Sequence, residues 1–179
     1  MARHLIVKQR DLSPLLKKPF AEQNEGTWYV NNMFFAQAIA NHQDAEVIMG
    51  LDDTDRQTGL SYSSAFHFLP KSFEHSRYDK RVLVPLAEYL PLHFLKPLVE
   101  RYGIADFYQH GKESKVFGRK KRLSCSICYE ECFGNMIREG KEKGAEVFVN
   151  ITNDGWFPSS QLSLQHFYHG RLRALENGV

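Results

Sequence analysis

Apolar and polar positions change their spacing along this chain so that helical and extended stretches alternate. From Thr27 to His42, the residues Trp28, Val30, Phe34, Phe35, Ala38 and Ile39 recur at three-to-four spacing, which predicts a helix. Ala45–Gly50 is a short apolar run and predicts a buried strand. Asp52–Gly59, DDTDRQTG, predicts a solvated turn, because its acids miss the spacing of a calcium loop. Tyr62–Leu69 predicts the next strand, and Pro70–Ser76 turns the chain. Tyr78–Pro91, YDKRVLVPLAEYLP, then sets Lys80 at the start of an apolar strand, VLV. Pro85–Leu98 holds three prolines, so it reads as a loop or short helix rather than a central strand. Its exposed apolar side chains either cover a core or face an apolar substrate or membrane.

Tyr102–Lys121 is polar and predicts a solvated hairpin between Phe107 and Leu123, with lipid phosphate contact as the other reading. Leu123–Ile127, LSCSI, predicts a strand that runs into Cys128 and then two acids. Glu131–Gly144 predicts a helix with Phe133, Met136 and Ile137 on one side and Gly144 as its stop. Val147–Ile151 is a short strand expected in the middle of a sheet. Ser160–Asn177 predicts a last helix whose buried side is Leu164, Phe167, Leu172 and Leu175. Leu5–Val7 is a strand stub, and Lys8–Gln23, with Pro14 and Pro19 and no period, reads as a connector. The layout is α/β.

Composition narrows the class. At 179 residues the chain holds one core and hardly two. A net charge of +2 gives no sign of a nucleic-acid partner. No apolar run approaches the length of a membrane span, and Met1–Arg10 lacks the hydrophobic core of a signal peptide. The three cysteines, Cys125, Cys128 and Cys132, crowd one segment, which is not a disulfide framework.

Four residues carry candidate chemistry. Cys128 lies at a strand-to-helix junction, where free backbone N–H groups favour a thiolate and can hold an oxyanion. The competing readings are a small buried hydrophobe and a metal site of Cys125, Cys128 and Cys132, although Cys125 and Cys128 fall on opposite faces of a persisting strand. Lys80 would stabilise a nearby thiolate or oxyanion, and its alternative is a surface ion pair. Glu88, set among apolar residues between Pro85 and Pro91, is expected to point inward at a partner. Glu130 would orient Lys80 or line the site. His166 and His169 are three apart on one helix, with surface or capping roles favoured over metal binding. No cofactor motif and no zinc spacing is present.

YDKRVLVPLAEYLPL, SICYE and NITNDGWF, followed by QHFYHGRLRALENG, together resemble the carbon–nitrogen hydrolase, or nitrilase-like, superfamily. Within it they resemble the branch of bacterial apolipoprotein N-acyltransferases. The resemblance implies a nitrilase-like α-β-β-α sandwich with a Glu-Lys-Cys triad. Lys80 would be the catalytic lysine, Cys128 the nucleophile and Glu88 the supporting glutamate, with Tyr129 and Glu130 flanking the nucleophile. It further implies a phospholipid acyl donor, a cysteine thioester and an apolipoprotein acceptor. The parent protein would sit in the bacterial inner membrane, with its catalytic domain on the periplasmic side. A soluble amidase or nitrilase using the same cysteine, and a non-catalytic remnant or binding domain, are the rival readings.

The family's general-base glutamate belongs to a proline-glutamate motif upstream of the lysine. At that distance the chain has KQRDLSP, Lys8–Pro14, and Glu22 and Glu25 lie close to the next helix. The expectation is therefore a poorly matched segment over residues 1–26 and a partial domain over 27–179, incomplete at both ends and of weak activity by itself.

Overall fold

In the computed structural model, Asn31 sets where the first helix begins. Its backbone is extended and its side chain accepts a hydrogen bond from the Phe34 amide, satisfying one of the donors a helix start leaves over. The structure describes residues 5–8, 21–24, 27–55, 57–72, 74–91 and 107–179. Helix α1 is Asn32–Gln43 and closes on Asp44 in the left-handed conformation. The predicted helix was drawn too long at its start. Thr27–Val30 is strand β3, because TWYV is β-branched and aromatic and lies ahead of the cap. Strand β1, Leu5–Lys8, and strand β2, Ala21–Asn24, both pair antiparallel with β3, giving the order β1-β3-β2. Part of the expected connector is thus a strand, and its residues 9–20 lie outside the described residues.

The second sheet has the order β4-β5-β6: β4 is Val47–Thr54, β5 is Ser61–Phe68 and β6 is His75–Asp79. Strand β4 continues three residues into the stretch read as a turn. The chain reverses only at Asp55, whose carboxylate accepts from the amides of Gln57 and Thr58, with Gly59 at φ +69°. Those two amides hold the Asp55 carboxyl below the usual range.

Contacts divide the chain into two compact units, Met1–Met49 with Phe66–Ser76 and Gly50–Ala65 with Arg77–Val179. In the first, Ala36, Gln37 and Ala40 of α1 are fully buried. The Gln37 amide donates to the Leu69 carbonyl at 2.7 Å, and His67 meets the Glu46 carboxylate at 2.8 Å.

The second unit holds the third sheet, in the order β7-β8-β9. Strand β7, Val116–Phe117, is antiparallel to β8, Leu123–Ile127, and β9, Val147–Ile151, is parallel to β8 with Ser126 opposite Asn150. The polar hairpin expected before Leu123 is therefore short. Strand β9 stands at an edge among the described residues, not in the middle as its composition suggested. A 3-10 helix, Cys128–Cys132, follows β8 directly, and α2, Gly134–Glu142, follows that. Helix α2 lies close on β8, where a Cβ on Gly140 would stand 2.5 Å from Ser124 Oγ.

Helix α3, Leu162–Asn177, corrects its predicted face. Leu164, Phe167, Leu172 and Leu175 are exposed, Leu175 by 78 %, while His166 and Arg173 are buried. Polar partners turn these two inward: His166 lies 2.7 Å from Asp154, and Arg173, paired with Glu176 of the same helix at 2.9 Å, lines a cavity with Glu131. The spacing of leucines alone does not disclose those partners.

Candidate active site

Lys80 lies one residue beyond β6 and is 1 % exposed. Its backbone is fixed on two sides, donating to the Ser63 carbonyl and accepting from the Gly111 amide. Its ammonium meets both oxygens of Glu88, at 2.7 and 2.8 Å. Glu88 also accepts from the Val84 amide at 2.7 Å. The predicted strand after Lys80 does not form. The amides of Arg81, Val82 and Val84, which a strand would give to a neighbour, go instead to the carboxylates of Glu130 and Glu88. Pro85 then closes a turn through Tyr89. Leu92–Leu98, the rest of the proline-rich segment, lies outside the described residues.

Cys128 stands where β8 becomes the 3-10 helix, with φ +56°. A non-glycine residue in this left-handed region costs on the order of 1–2 kcal/mol, so the surroundings must hold it. Two do. Asn150 on β9 donates to the Cys128 carbonyl at 2.8 Å and to Ser126 Oγ at 3.0 Å. Glu130, fully buried, binds the turn to the lysine segment. One of its oxygens accepts from Ile127 N at 2.8 Å and Tyr78 hydroxyl at 3.0 Å. The other accepts from Arg81 N at 2.6 Å and Val82 N at 2.9 Å. Burial and the Glu130 charge push the Tyr78 phenol well above its ordinary range, so it stays a donor.

Tyr129 links the same two segments. Its hydroxyl donates to the Leu83 carbonyl at 3.2 Å, and the Lys80 ammonium lies 5.6 Å from its ring centroid. Burial, followed by the Glu88 charge, raises its phenol. Lys80 thus meets both the Glu88 carboxylate and the Tyr129 ring, and Glu130 fastens the lysine segment to the turn bearing Cys128. Glu130 accepts from the backbone on either side of the site, at Ile127, Arg81 and Val82, the last two directly after Lys80.

The three cysteines differ. Cys125 is buried in β8, and burial pushes its thiol up to about 12. Cys132 is exposed, and Cys128 is half-buried. Among the described residues no three His, Cys, Asp or Glu side chains converge as a metal site.

A second polar group lies behind the turn and was not read from the sequence. Glu131 is 3 % exposed, and burial, aided by Asp154 and opposed by His166 and Arg173, raises its carboxyl to about 7. It lines a cavity of about 280 Å³ together with Ser126, Phe148, Asn150, Gly170 and Arg173. Glu131 Oε1 and Arg173 Nε are buried without a hydrogen-bond partner among the described residues. For Asn150 a signal existed: it is the polar residue inside an otherwise apolar strand, VFVNI.

Comparisons with known proteins show the family in which this α/β fold belongs. The chain belongs to the carbon-nitrogen hydrolase family, which matches residues 19–179. Among curated proteins it is similar to the apolipoprotein N-acyltransferase of Chlamydia trachomatis serovar D, 35 % identical over 174 residues, covering 93 % of this chain and 32 % of the relative. The protein of that name from Chlamydia caviae is 38 % identical over 178 residues, covering 94 % and 32 %. That from Rickettsia typhi is 36 % identical over 148 residues, covering 79 % and 29 %. The chain therefore spans about a third of the length of these relatives. Among solved structures, Saccharomyces cerevisiae Nit3 of the nitrilase superfamily superposes with TM-score 0.61 at 17 % identity, over 82 % of this chain and 47 % of that one. A carbon-nitrogen hydrolase from Helicobacter pylori G27 gives 0.58 at 20 %, over 82 % and 47 %. These agree with the nitrilase-like fold expected from the sequence.

Proposed function

We propose that this chain carries the nucleophile and lysine of an apolipoprotein N-acyltransferase. The observation that supports this reading is the similarity to enzymes of that name along nearly the whole chain. The cysteine turn and the Lys80–Glu88 pair lie within the similar stretch. Cys128 is the nucleophile, Lys80 the electrostatic partner, Glu88 its anchor, and Tyr129 and Glu130 hold the two segments in register.

The Cys128 thiolate attacks an ester carbonyl of a phospholipid, and the electron pair moves to the carbonyl oxygen. Collapse expels a lysophospholipid alkoxide, which takes up a proton, and leaves the acyl group as a thioester. The α-amine of a diacylglyceryl-cysteine then attacks the thioester, forms an amide, releases a proton and returns the thiolate. Lys80 faces the charge that develops on oxygen in both halves. A membrane setting follows from such a donor. No helix among the described residues is long and apolar enough to cross a bilayer. In this reading the parent protein sits in the bacterial inner membrane and this domain works on its periplasmic side.

The test offers the chain a phospholipid and a short-chain amide in parallel and follows the intact mass. A fatty-acyl mass gain mapped to Cys128 with the phospholipid alone is expected. Acylation from the amide alone would favour a soluble amidase. The absence of any adduct, with Cys128 no more reactive to alkylation than a free thiol, would favour a binding domain.

A further inference from the structure

We infer that Asn150 is a positioning residue for the Cys128 turn, aiming the Tyr129 amide at the oxygen of the reacting carbonyl. The inference rests on the reading of Cys128 as a nucleophile that attacks an acyl carbonyl.

The argument starts from the peptide between Cys128 and Tyr129. A trans peptide is planar, and its C=O and N–H point in opposite directions. Asn150 Nδ2 holds the Cys128 carbonyl at 2.8 Å, toward β9. The Tyr129 N–H therefore points away from β9. It is also the second amide of the 3-10 helix that starts at Cys128, within the first turn where the helix supplies no acceptor. Cys128 holds φ +56°, a conformation that its own covalent structure resists. Among the described residues, Asn150 is the side chain that grips that carbonyl. Asn150 reaches it because β9 runs parallel to β8 with Asn150 opposite Ser126, and Ser126 Oγ takes a second contact at 3.0 Å that fixes the rotation of the amide group. Without that donor the peptide is free to rotate, and the Tyr129 N–H loses its direction.

In the reaction, the thiolate adds to the ester carbonyl carbon and the displaced electron pair settles on oxygen. The Tyr129 N–H then donates to that oxyanion until the C–O bond breaks. A donor aimed in advance acts on this charge without reorganising. Alkylation of the same sulfur displaces iodide and builds no oxyanion. The two reactions therefore separate a misaimed amide from a damaged thiolate.

The experiment uses the full chain, with a p-nitrophenyl ester of a short fatty acid as acyl donor and iodoacetamide as alkylating agent, each followed by mass at Cys128. Asn150→Leu removes the donor without adding charge. Its acylation rate is expected to fall by about 10–100-fold, toward the loss seen when an oxyanion donor is removed, with alkylation within threefold of the parent. Asn150→Ser, whose hydroxyl is too short to reach the carbonyl, repeats the measurement in a strand of kept polarity and should match it. Asn150→His returns an N–H, with room in the adjoining 280 Å³ cavity, and should restore most of the rate. Parent-like acylation in both the Leu and Ser variants overturns the inference, as does an equal fall in acylation and alkylation. If the parent chain itself is acylated no faster than a free thiol, the nucleophile reading fails and this inference falls with it.

Discussion

Replacing Glu130 by glutamine is the sharpest perturbation available to this site. The carboxylate is fully buried and receives four donors, two on each oxygen. Glutamine has one acceptor oxygen and one NH2 group. In its better orientation the oxygen keeps Arg81 N and Val82 N. The NH2 then donates to the Tyr78 hydroxyl, which turns to accept, and faces the Ile127 amide as a second donor. Hydrogen bonds to a charged acceptor are worth roughly 1 kcal/mol more than neutral ones, so the two retained bonds lose about 2 kcal/mol together. The orphaned Ile127 amide costs about 1–3 kcal/mol. Relief from burying a charge offsets part of this, leaving about 2–4 kcal/mol, a large share of the 5–15 kcal/mol typical of a domain. Urea unfolding at pH 7, followed by tryptophan fluorescence, measures it. With a slope of about 2 kcal/mol/M the midpoint should fall by about 1–2 M. A shift under roughly 0.3 M at unchanged slope would refute the claim that this carboxylate clamps the two segments.

Two further outcomes concern the surroundings. The Glu131 carboxyl is raised in the folded chain, to about 7 from an ordinary 4.5, so the folded state binds more protons between those values. Stability should therefore fall as pH rises from about 4.5 to 7, by up to about 3 kcal/mol. Glu131→Gln should abolish that contribution and be the more stable form at pH 8, as denaturant midpoints at pH 5.5 and 8 would record. At Gly111 a Cβ would stand 2.0 Å from the Asp79 carbonyl oxygen, so Gly111→Ala must push its loop off the end of β6 and break the bond to Lys80. A loss of about 2–3 kcal/mol by the same titration is expected, and a loss below 1 would show that the loop yields freely.

How far the sequence told the structure depends on whether a residue's fate was settled by its neighbours in the chain. Strands β8 and β9 appear with the limits read from their composition, because small and apolar runs there are bounded by turn residues. Lys80 and Glu88 were singled out as a lysine near a strand and an acid among apolar residues, and the structure puts them in contact. Val82–Val84 misled, since three apolar residues read as a strand unless one knows that distant carboxylates claim the amides. The leucine side of α3 misled for a related reason: His166 answers to Asp154, outside the helix, and Arg173 shares a cavity with the buried Glu131. TWYV fell to a boundary error, since its aromatic spacing also suits a helix. Asn150 and Glu131 required three-dimensional neighbours, which only the register of β8 on β9 and the approach of α3 supply.

The anchoring of Lys80 has an entropic side. A lysine has four rotatable carbons, and ordering it removes up to about 2 kcal/mol of rotamer freedom. Here both Glu88 oxygens hold the ammonium, and the side chain is enclosed. That ordering is complete once the chain has folded. In the proposed reaction the ammonium is already at rest before a substrate arrives, and none of the binding energy goes into stilling a flexible arm.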